Sequence, residues 1–197
     1  MKCILIASVG GQGGLALSRI IALTAKKLGE KVVVGETLGM SQRGGSVHVY
    51  IRIGKGAYSP LLMPEEASLT LGLEPLETVR ALKYISRRGI VVLNVEPIPP
   101  ISSILGSAKY PSIADIITLI GEHCRKIYTV NSSEKCRKLG FSRGMNVHLL
   151  GVAVGLTGFL EPNAVKASIV ELLPQPENNL KVFDDGLETG RTLKKNR

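Results

Sequence analysis

Tryptophan is absent from the 197 residues, and aromatic side chains are scarce: three Phe and five Tyr. The core must therefore be filled by Ile, Leu, Val and Ala. At 44% apolar and 21% charged residues, the chain has the composition of one that buries a real core, not of a disordered one. Cysteine is also rare. Cys3, Cys124 and Cys136 are too few and too scattered for a disulfide framework. They form no C-x-x-C pair, which excludes a zinc ribbon or an iron–sulfur cluster built on this chain alone. No uninterrupted apolar run reaches the roughly 18 residues of a membrane span. The first residues run straight into a strand-like segment without the pattern of a signal peptide, so a cytoplasmic protein is expected, with no membrane contact.

Acidic residues are outnumbered, 16 against 25 basic ones, for a net charge of +9. The excess is spread over both halves of the chain. The one dense cluster, Lys194-Lys195-Asn196-Arg197, reads as a frayed terminus. No aromatic-bearing basic motif accompanies the charge, so nucleic-acid binding lacks support. An anionic cofactor or an acidic partner surface remains. The length fits one domain spanning residues 1–197.

Residues 2–8 read as a buried parallel strand running into Gly10-Gly11-Gln12-Gly13-Gly14. Leu15, Ala16, Ile20, Leu23, Ala25 and Leu28 then recur at helical spacing until Gly29, and Lys31 to Gly35 is a second strand. A polar loop at 37–45 precedes a strand from Ser46 to Ile53. Its period-two alternation predicts one wetter face, made by Ser46, His48, Tyr50 and Arg52. Ser68–Leu73 and Gly89–Val95 are further strands, with a helix over Glu74–Arg87 between them. Pro97, Pro99 and Pro100 break the chain. Ser112 caps a helix reaching about Glu122, Arg125–Val130 is a strand, and Asn131 caps a short helix. Asn146 to Leu160 is nearly all apolar, with Gly151, Gly155 and Gly158 spaced to admit another backbone; it is a buried helix or a subunit contact. Glu161-Pro162 opens another helix, and a polar helix runs from about Asn178 to Leu193. The pattern predicts a three-layer α/β/α domain with a mixed, mostly parallel sheet and a glycine-rich loop after the first strand.

Two loops could carry chemistry. A strand entering glycines and then a helix is suited to anions, because free N–H groups and the helix dipole favour negative charge. A P-loop is excluded, since no Gly-Lys-Ser/Thr follows. A dinucleotide fingerprint half fits: Gly11-x-Gly13-x-x-Ala16, with Glu36 about 20 residues on. Another anion, or a tight turn with no ligand, fits as well. In the second loop, Gly39-Met40-Ser41-Gln42-Arg43-Gly44-Gly45-Ser46, Arg43 could grip a phosphate or carboxylate, or could be a solvated surface residue. His48, His123 and His148 are isolated in sequence, and Asp184-Asp185-Gly186 reads as helical surface. No catalytic acid, base or nucleophile stands out.

Together the loops resemble a known family. Ser8-Val9-Gly10-Gly11-Gln12-Gly13-Gly14 is similar to the Gly-x-Gly-Gly-Gln-Gly loop that opens the gamma domain of 2-oxoacid:ferredoxin oxidoreductases, with Ser8 where the family often has glycine. Gly39 to Val47 resembles a second signature, in the form characteristic of the beta subunit of indolepyruvate ferredoxin oxidoreductases. Further matches are Leu73-Glu74-Pro75-Leu76-Glu77 with Arg80, Asn94, Asn146-x-x-Leu149-Leu150-Gly151, and Phe183 with Gly186. The likeness covers almost the whole chain.

The resemblance implies that an aryl pyruvate is decarboxylated on thiamine diphosphate, that electrons pass through iron–sulfur clusters to ferredoxin, and that coenzyme A captures the acyl group. Thiamine diphosphate, Mg and the clusters would belong to a larger alpha subunit. This chain would carry no cofactor alone and would complete the active site at the interface. Gly10, Gly11, Gln12, Gly13 and Gly14 would then face an anionic ligand, coenzyme A, or the partner. Ser41, Gln42, Arg43, Gly44, Gly45 and Asn146 would contribute beside them, with Arg43 as the fixed charge at the interface. A stand-alone NAD-binding oxidoreductase using Glu36, and a purely structural partner subunit, are the alternative functions. An exposed partner-binding face would encourage self-association of the isolated chain.

Overall fold

The computed structural model describes residues 1–39 and 44–195. Six strands form one sheet: β1 (Lys2–Val9), β2 (Val32–Leu38), β3 (Ser46–Ile53), β4 (Ala67–Gly72), β5 (Ile85–Asn94) and β6 (Lys126–Val130). Their spatial order is β2-β3-β1-β4-β5-β6. From β1 to β6 each neighbour pairs in parallel, while β3 is antiparallel to both β1 and β2. The expected mixed, mostly parallel sheet with helices on both faces is what forms. The register places Val9 opposite Ser46, Leu38 opposite Val47, Gly72 opposite Ala7 and Asn94 opposite Val130. The ends of five strands and the start of β3 therefore share one edge, where chain connections diverge on either side of β1.

β1 is buried on both faces because its residues alternate between two cores. Ile4 and Ile6 join the larger cluster, with Leu17, Ile20 and Ile21 of α1 (Gly14–Lys27). Cys3, Leu5 and Ala7 join the smaller one, which packs under α2 (Pro75–Arg80) and α4 (Ile113–His123). The remaining helices are α3 (Ile101–Ile104), α5 (Ser132–Lys138), α6 (Met145–Thr157), α7 (Pro162–Leu172) and α8 (Pro176–Lys195).

α6 is the apolar segment the sequence marks out. Eleven of its thirteen residues are buried, and α8 is its main neighbour. The two backbones touch through glycines from both sides. A Cβ on Gly151 would lie well inside 3.0 Å of the Phe183 carbonyl oxygen, and one on Gly155 inside that distance of the Leu187 carbonyl. Reciprocally, Gly186 faces the His148 carbonyl and Gly190 that of Val152. Gly158 has a different role, closing α6 in the left-handed region at φ 65°.

Two expectations are revised. The segment Glu74–Arg87 is not one helix: α2 stops at Arg80, Leu82–Tyr84 is a 3-10 turn, and β5 begins at Ile85. Leu76, Val79, Leu82 and Ile85 keep a helical period, yet Ile85 pairs with Ala67 and belongs to the strand. A short apolar run cannot by itself distinguish the two. The wetter face of β3 is covered, with Tyr50 and Arg52 buried. Arg52 grips Glu66 with both guanidinium nitrogens and donates to the Leu61 carbonyl at 2.8 Å, so the segment after β3 folds back over that face.

Replacing Gly151 by Ala should cost about 1–3 kcal/mol or more, because main chain rather than a flexible side chain occupies the space. Urea unfolding measures it, and Gly121→Ala on α4, where the added Cβ meets nothing, is the matched control.

Candidate functional site

The glycine loop follows β1 at the carboxyl edge of the sheet, and its shape is fixed mainly by Gln12. The Gln12 side-chain oxygen accepts the Val9 N–H at 2.8 Å, and its amide nitrogen donates to the Leu73 carbonyl at 3.2 Å. The side chain thus closes the turn onto the end of β4. Gly13 caps α1 from the left-handed region, φ 81° and ψ 25°. Its carbonyl accepts from Asn146 Nδ2 at 3.1 Å, and the same amide fills the space a Cβ on Gly13 would need. Gly14 lies against the buried Ser8 hydroxyl, which donates to the Val47 carbonyl at 3.3 Å. A serine at position 8 is therefore accommodated by the glycine at position 14.

The structure joins the two sequence-predicted loops. Gly10 N–H donates to the Gly45 carbonyl at 2.8 Å, and Gly44 N–H to the Gly10 carbonyl at 3.3 Å. Gly10 to Gly14, Gly44, Gly45 and Asn146 are thus brought together. Ser41, Gln42 and Arg43 lie outside the described residues. Glu36 is on β2, which β3 separates from β1. In the dinucleotide fingerprint the acidic residue stands on the strand adjacent to the first, so the geometry does not reproduce that arrangement.

A groove passes the loop on two sides of Arg143. One part, about 230 Å³, is lined by Gly11, Gln12, Glu96, Ser133, Arg137 and Arg143 among others. The other, about 200 Å³, is lined by Ala16, Arg143, Asn146, Pro174 and Asn179 among others. The amino ends of α1 and α6 both reach it. Neither helix has a side-chain cap or an acidic residue in its first turn, so their positive dipole ends are not offset locally. Arg143 is exposed, and among the described residues no ion pair engages it. Arg137 is paired with Glu96 at 2.9 Å. Sequence reading missed both arginines. A signal was available in Arg143 standing three residues before Asn146, at the start of a helix devoid of acidic residues.

Other motif residues serve the frame. Glu74 is 1% exposed and caps α2. It accepts from Glu77 N–H at 2.8 Å, Ile98 N–H at 3.1 Å and the Tyr110 hydroxyl at 2.6 Å. Burial, then the adjacent carboxylate, push the Tyr110 phenol well above its ordinary range. Asn94 donates to the Leu73 carbonyl at 3.1 Å, beside Gln12. Asp185 is not simply helical surface: with Ser132 it brackets the fully buried His148, at 3.0 and 2.9 Å from its two ring nitrogens. His48 lies 3.8 Å from the buried Glu77 carboxylate. Burial lowers the pKa of both histidines.

The donor set does not fit an iron–sulfur cluster on this chain. Cys3 and Cys124 lie in the smaller core and Cys136 in the larger one, across the sheet. Burial raises all three thiols, Cys136 to about 12, whereas a cluster takes about four convergent thiolates. Among the described residues no three His, Cys, Asp or Glu side chains form a metal-binding group, and no helix is long and apolar enough to cross a membrane.

Comparison with known proteins adds independent findings. The family model described as "Pyruvate ferredoxin/flavodoxin oxidoreductase" matches residues 3–189. A Pyrococcus horikoshii protein named "Indolepyruvate oxidoreductase subunit IorB" is 35% identical over 195 residues, 96% of each chain. A protein of the same name from Archaeoglobus fulgidus is 40% identical over 152 residues, 77% of this chain and 75% of the relative. Among solved structures, the gamma subunit of the keto/oxoacid ferredoxin oxidoreductase from Geobacter sulfurreducens superposes with a TM-score of 0.71 at 20% identity, covering 98% of this chain and 99% of that one. The 2-oxoglutarate:ferredoxin oxidoreductase of Magnetococcus marinus, solved with 2-oxoglutarate, coenzyme A and succinyl-CoA bound, gives 0.73 at 16% identity. It covers 97% of this chain and 31% of that one. At these identities the structural likeness is one of fold.

Two outcomes are expected. Gln12→Ala leaves the Val9 N–H without its side-chain acceptor, while the Leu73 carbonyl keeps Asn94, and should lower stability by about 1–3 kcal/mol in urea unfolding. His48 and His148 are held neutral in the fold, while the unfolded chain takes up protons near the ordinary value of 6.5. Stability should thus fall as pH drops below about 6.5, until the folded groups protonate in turn. In His148→Gln, thermal melts between pH 7.5 and 5 should show a shallower decline than in the unaltered chain.

Proposed function

The chain belongs to the pyruvate ferredoxin/flavodoxin oxidoreductase family and is a subunit of a ferredoxin-dependent 2-oxoacid oxidoreductase, and on that premise we propose that it completes the active site of an aryl-pyruvate enzyme at the interface with a larger subunit. Residues 1–197 act as one gamma-type domain. Enzymes of this family use thiamine diphosphate and iron–sulfur clusters, and here both, with Mg, reside on the larger alpha subunit. That subunit's cofactors supply the decarboxylation and the electrons delivered to ferredoxin. The favoured substrate is indolepyruvate or a similar aryl 2-oxo acid. This rests on the names of the curated relatives and on the form of the second loop.

The part of this chain is to hold coenzyme A. The observation that carries the reading is the convergence of two uncapped helix amino ends and Arg143, which no ion pair engages among the described residues, on a groove floored by the glycine loop. Phosphate groups match that field, since backbone N–H groups and a guanidinium both donate to phosphate oxygens. Gly11, where an added Cβ would meet nothing, lets the ligand approach main chain, while at Gly13 that space is taken by the Asn146 amide. Gln12 and Asn146 keep the loop in its shape rather than spend their amides on the ligand. Gly44 and Gly45 are bonded to Gly10, and Ser41, Gln42 and Arg43, which precede them in the sequence, are assigned hydrogen bonds and a further charge toward the ligand. The spread positive charge of +9 favours approach of an anionic thioester precursor.

Arg143→Ala in the assembled enzyme should raise the KM for coenzyme A about tenfold or more, as expected for one charge-assisted hydrogen bond. The KM for the 2-oxo acid should stay unchanged. Arg43→Ala should act in the same direction. Steady-state kinetics with each substrate varied in turn decides it. An unchanged coenzyme A KM in both variants would remove the assignment.

A further inference from the structure

We infer that the segment from Pro97 to Leu105, between β5 and α4, is the surface on which the larger subunit docks, with an apolar centre and an acidic margin on that partner. The inference rests on the reading that this chain works beside a larger subunit; it does not depend on where coenzyme A binds. Four large aliphatic side chains face outward within eight residues: Ile98 is 41% exposed, Ile101 68%, Ile104 71% and Leu105 77%. No charged residue lies between Glu96 and Lys109. Contiguous apolar surface of this kind marks a protein contact rather than a solvated face.

The segment is held rather than loose. The buried Glu74 carboxylate takes the Ile98 N–H at one end and the Tyr110 hydroxyl at the other, both on the same oxygen. Inside it, the N–H groups of Ser107 and Ala108 both donate to the Ser102 carbonyl, at 2.9 and 3.1 Å. A carboxylate buried to pin both ends of a stretch that presents its aliphatic side chains to water makes sense for a pre-formed contact, which loses little freedom on binding.

Position and charge select the occupant. Ile98 lines the same 230 Å³ cleft as Gly11 and Gln12, so whatever covers the segment also roofs that part of the groove. The margin carries a basic excess: Glu96 at one end of the uncharged stretch is paired with Arg137, while Lys109 stands at the other end and Arg143 lines the cleft with Ile98. Among the described residues no ion pair engages Lys109 or Arg143. A second copy of this chain would set these charges, and its own net +9, against their like. A different chain with acidic residues around an apolar centre complements them.

The test is co-purification of the full chain with an affinity-tagged larger subunit. Ile101→Asp with Leu105→Asp should weaken assembly at least tenfold, while thermal melts of the free chain stay unchanged because both side chains are exposed. Leu119→Asp, at an exposed apolar position of α4, should assemble normally. Ile101→Ser with Leu105→Ser is the milder pair should the first misfold. Normal assembly of these pairs would overturn the inference. So would loss of a dimer of the free chain, seen by sedimentation, with assembly of the complex intact, since the occupant would then be a second copy. Failure of the unaltered chain to assemble would overturn the subunit reading on which the inference rests, and is distinguished by that control.

Discussion

Direct contact between the main chains of α6 and α8 is the constraint from which the rest of the site follows. Helices normally keep their axes 8–10 Å apart because side chains stand between them. Here Gly151 and Gly155 on one helix, and Gly186 and Gly190 on the other, leave carbonyl groups as the nearest neighbours. The separation is thereby set by atoms that cannot change rotamer. α6 then enters the larger core at a fixed depth, with Val147, Leu149 and Leu150 buried around it. Its first turn is delivered to the glycine loop, where Asn146 meets the Gly13 carbonyl. Two residues further along, His148 reaches Ser132 on α5 and Asp185 on α8, tying three helices through one ring.

This frame leaves an excess of positive charge at the groove. Buried polar side chains in the frame find partners at the carboxyl edge: Gln12 on two backbone groups, Glu74 on three donors, Asn94 on Leu73 and Ser133. The amino ends of α1 and α6 have no side-chain cap, and among the described residues no ion pair engages Arg143. The groove therefore gathers more positive than negative charge: Glu96 offsets Arg137, and Arg143 with the two helix ends is left over. A region of this kind suits the charged substrate that the proposed function assigns to this chain.

Much of this was legible in the residues. The first strand, the glycine turn and α1 follow from an apolar run, glycines and a helical period. The caps at Ser112 and Asn131 are those expected, and the helix expected to open at Glu161-Pro162 is capped by the Glu161 side chain. The glycines of the apolar helix correctly announced a close backbone approach at Gly151 and Gly155. What was not legible is relational. Nothing local to Arg52 says that Glu66 will bury it, so β3 read as half-solvated. Ile85 fits a helix by spacing and a strand by pairing, and pairing wins because β4 offers it a partner. The insertion of β3 between β1 and β2 is a matter of topology that no window contains, and it is what parts Glu36 from the glycine loop. Arg143 was hidden for the same reason: its importance comes from a helix end about 130 residues earlier in the chain.

The Leu73 carbonyl receives the amides of both Gln12 and Asn94. It joins the turn after β1, the end of β4 and the end of β5 at a single atom, and that atom belongs to the main chain. No replacement of the leucine side chain can delete it. Sequence drift at position 73 is answerable to packing alone, whereas positions 12 and 94 each carry half of a shared obligation. The junction can lose one arm and keep the other, so its failure is graded, and the hub itself is outside the reach of point substitution.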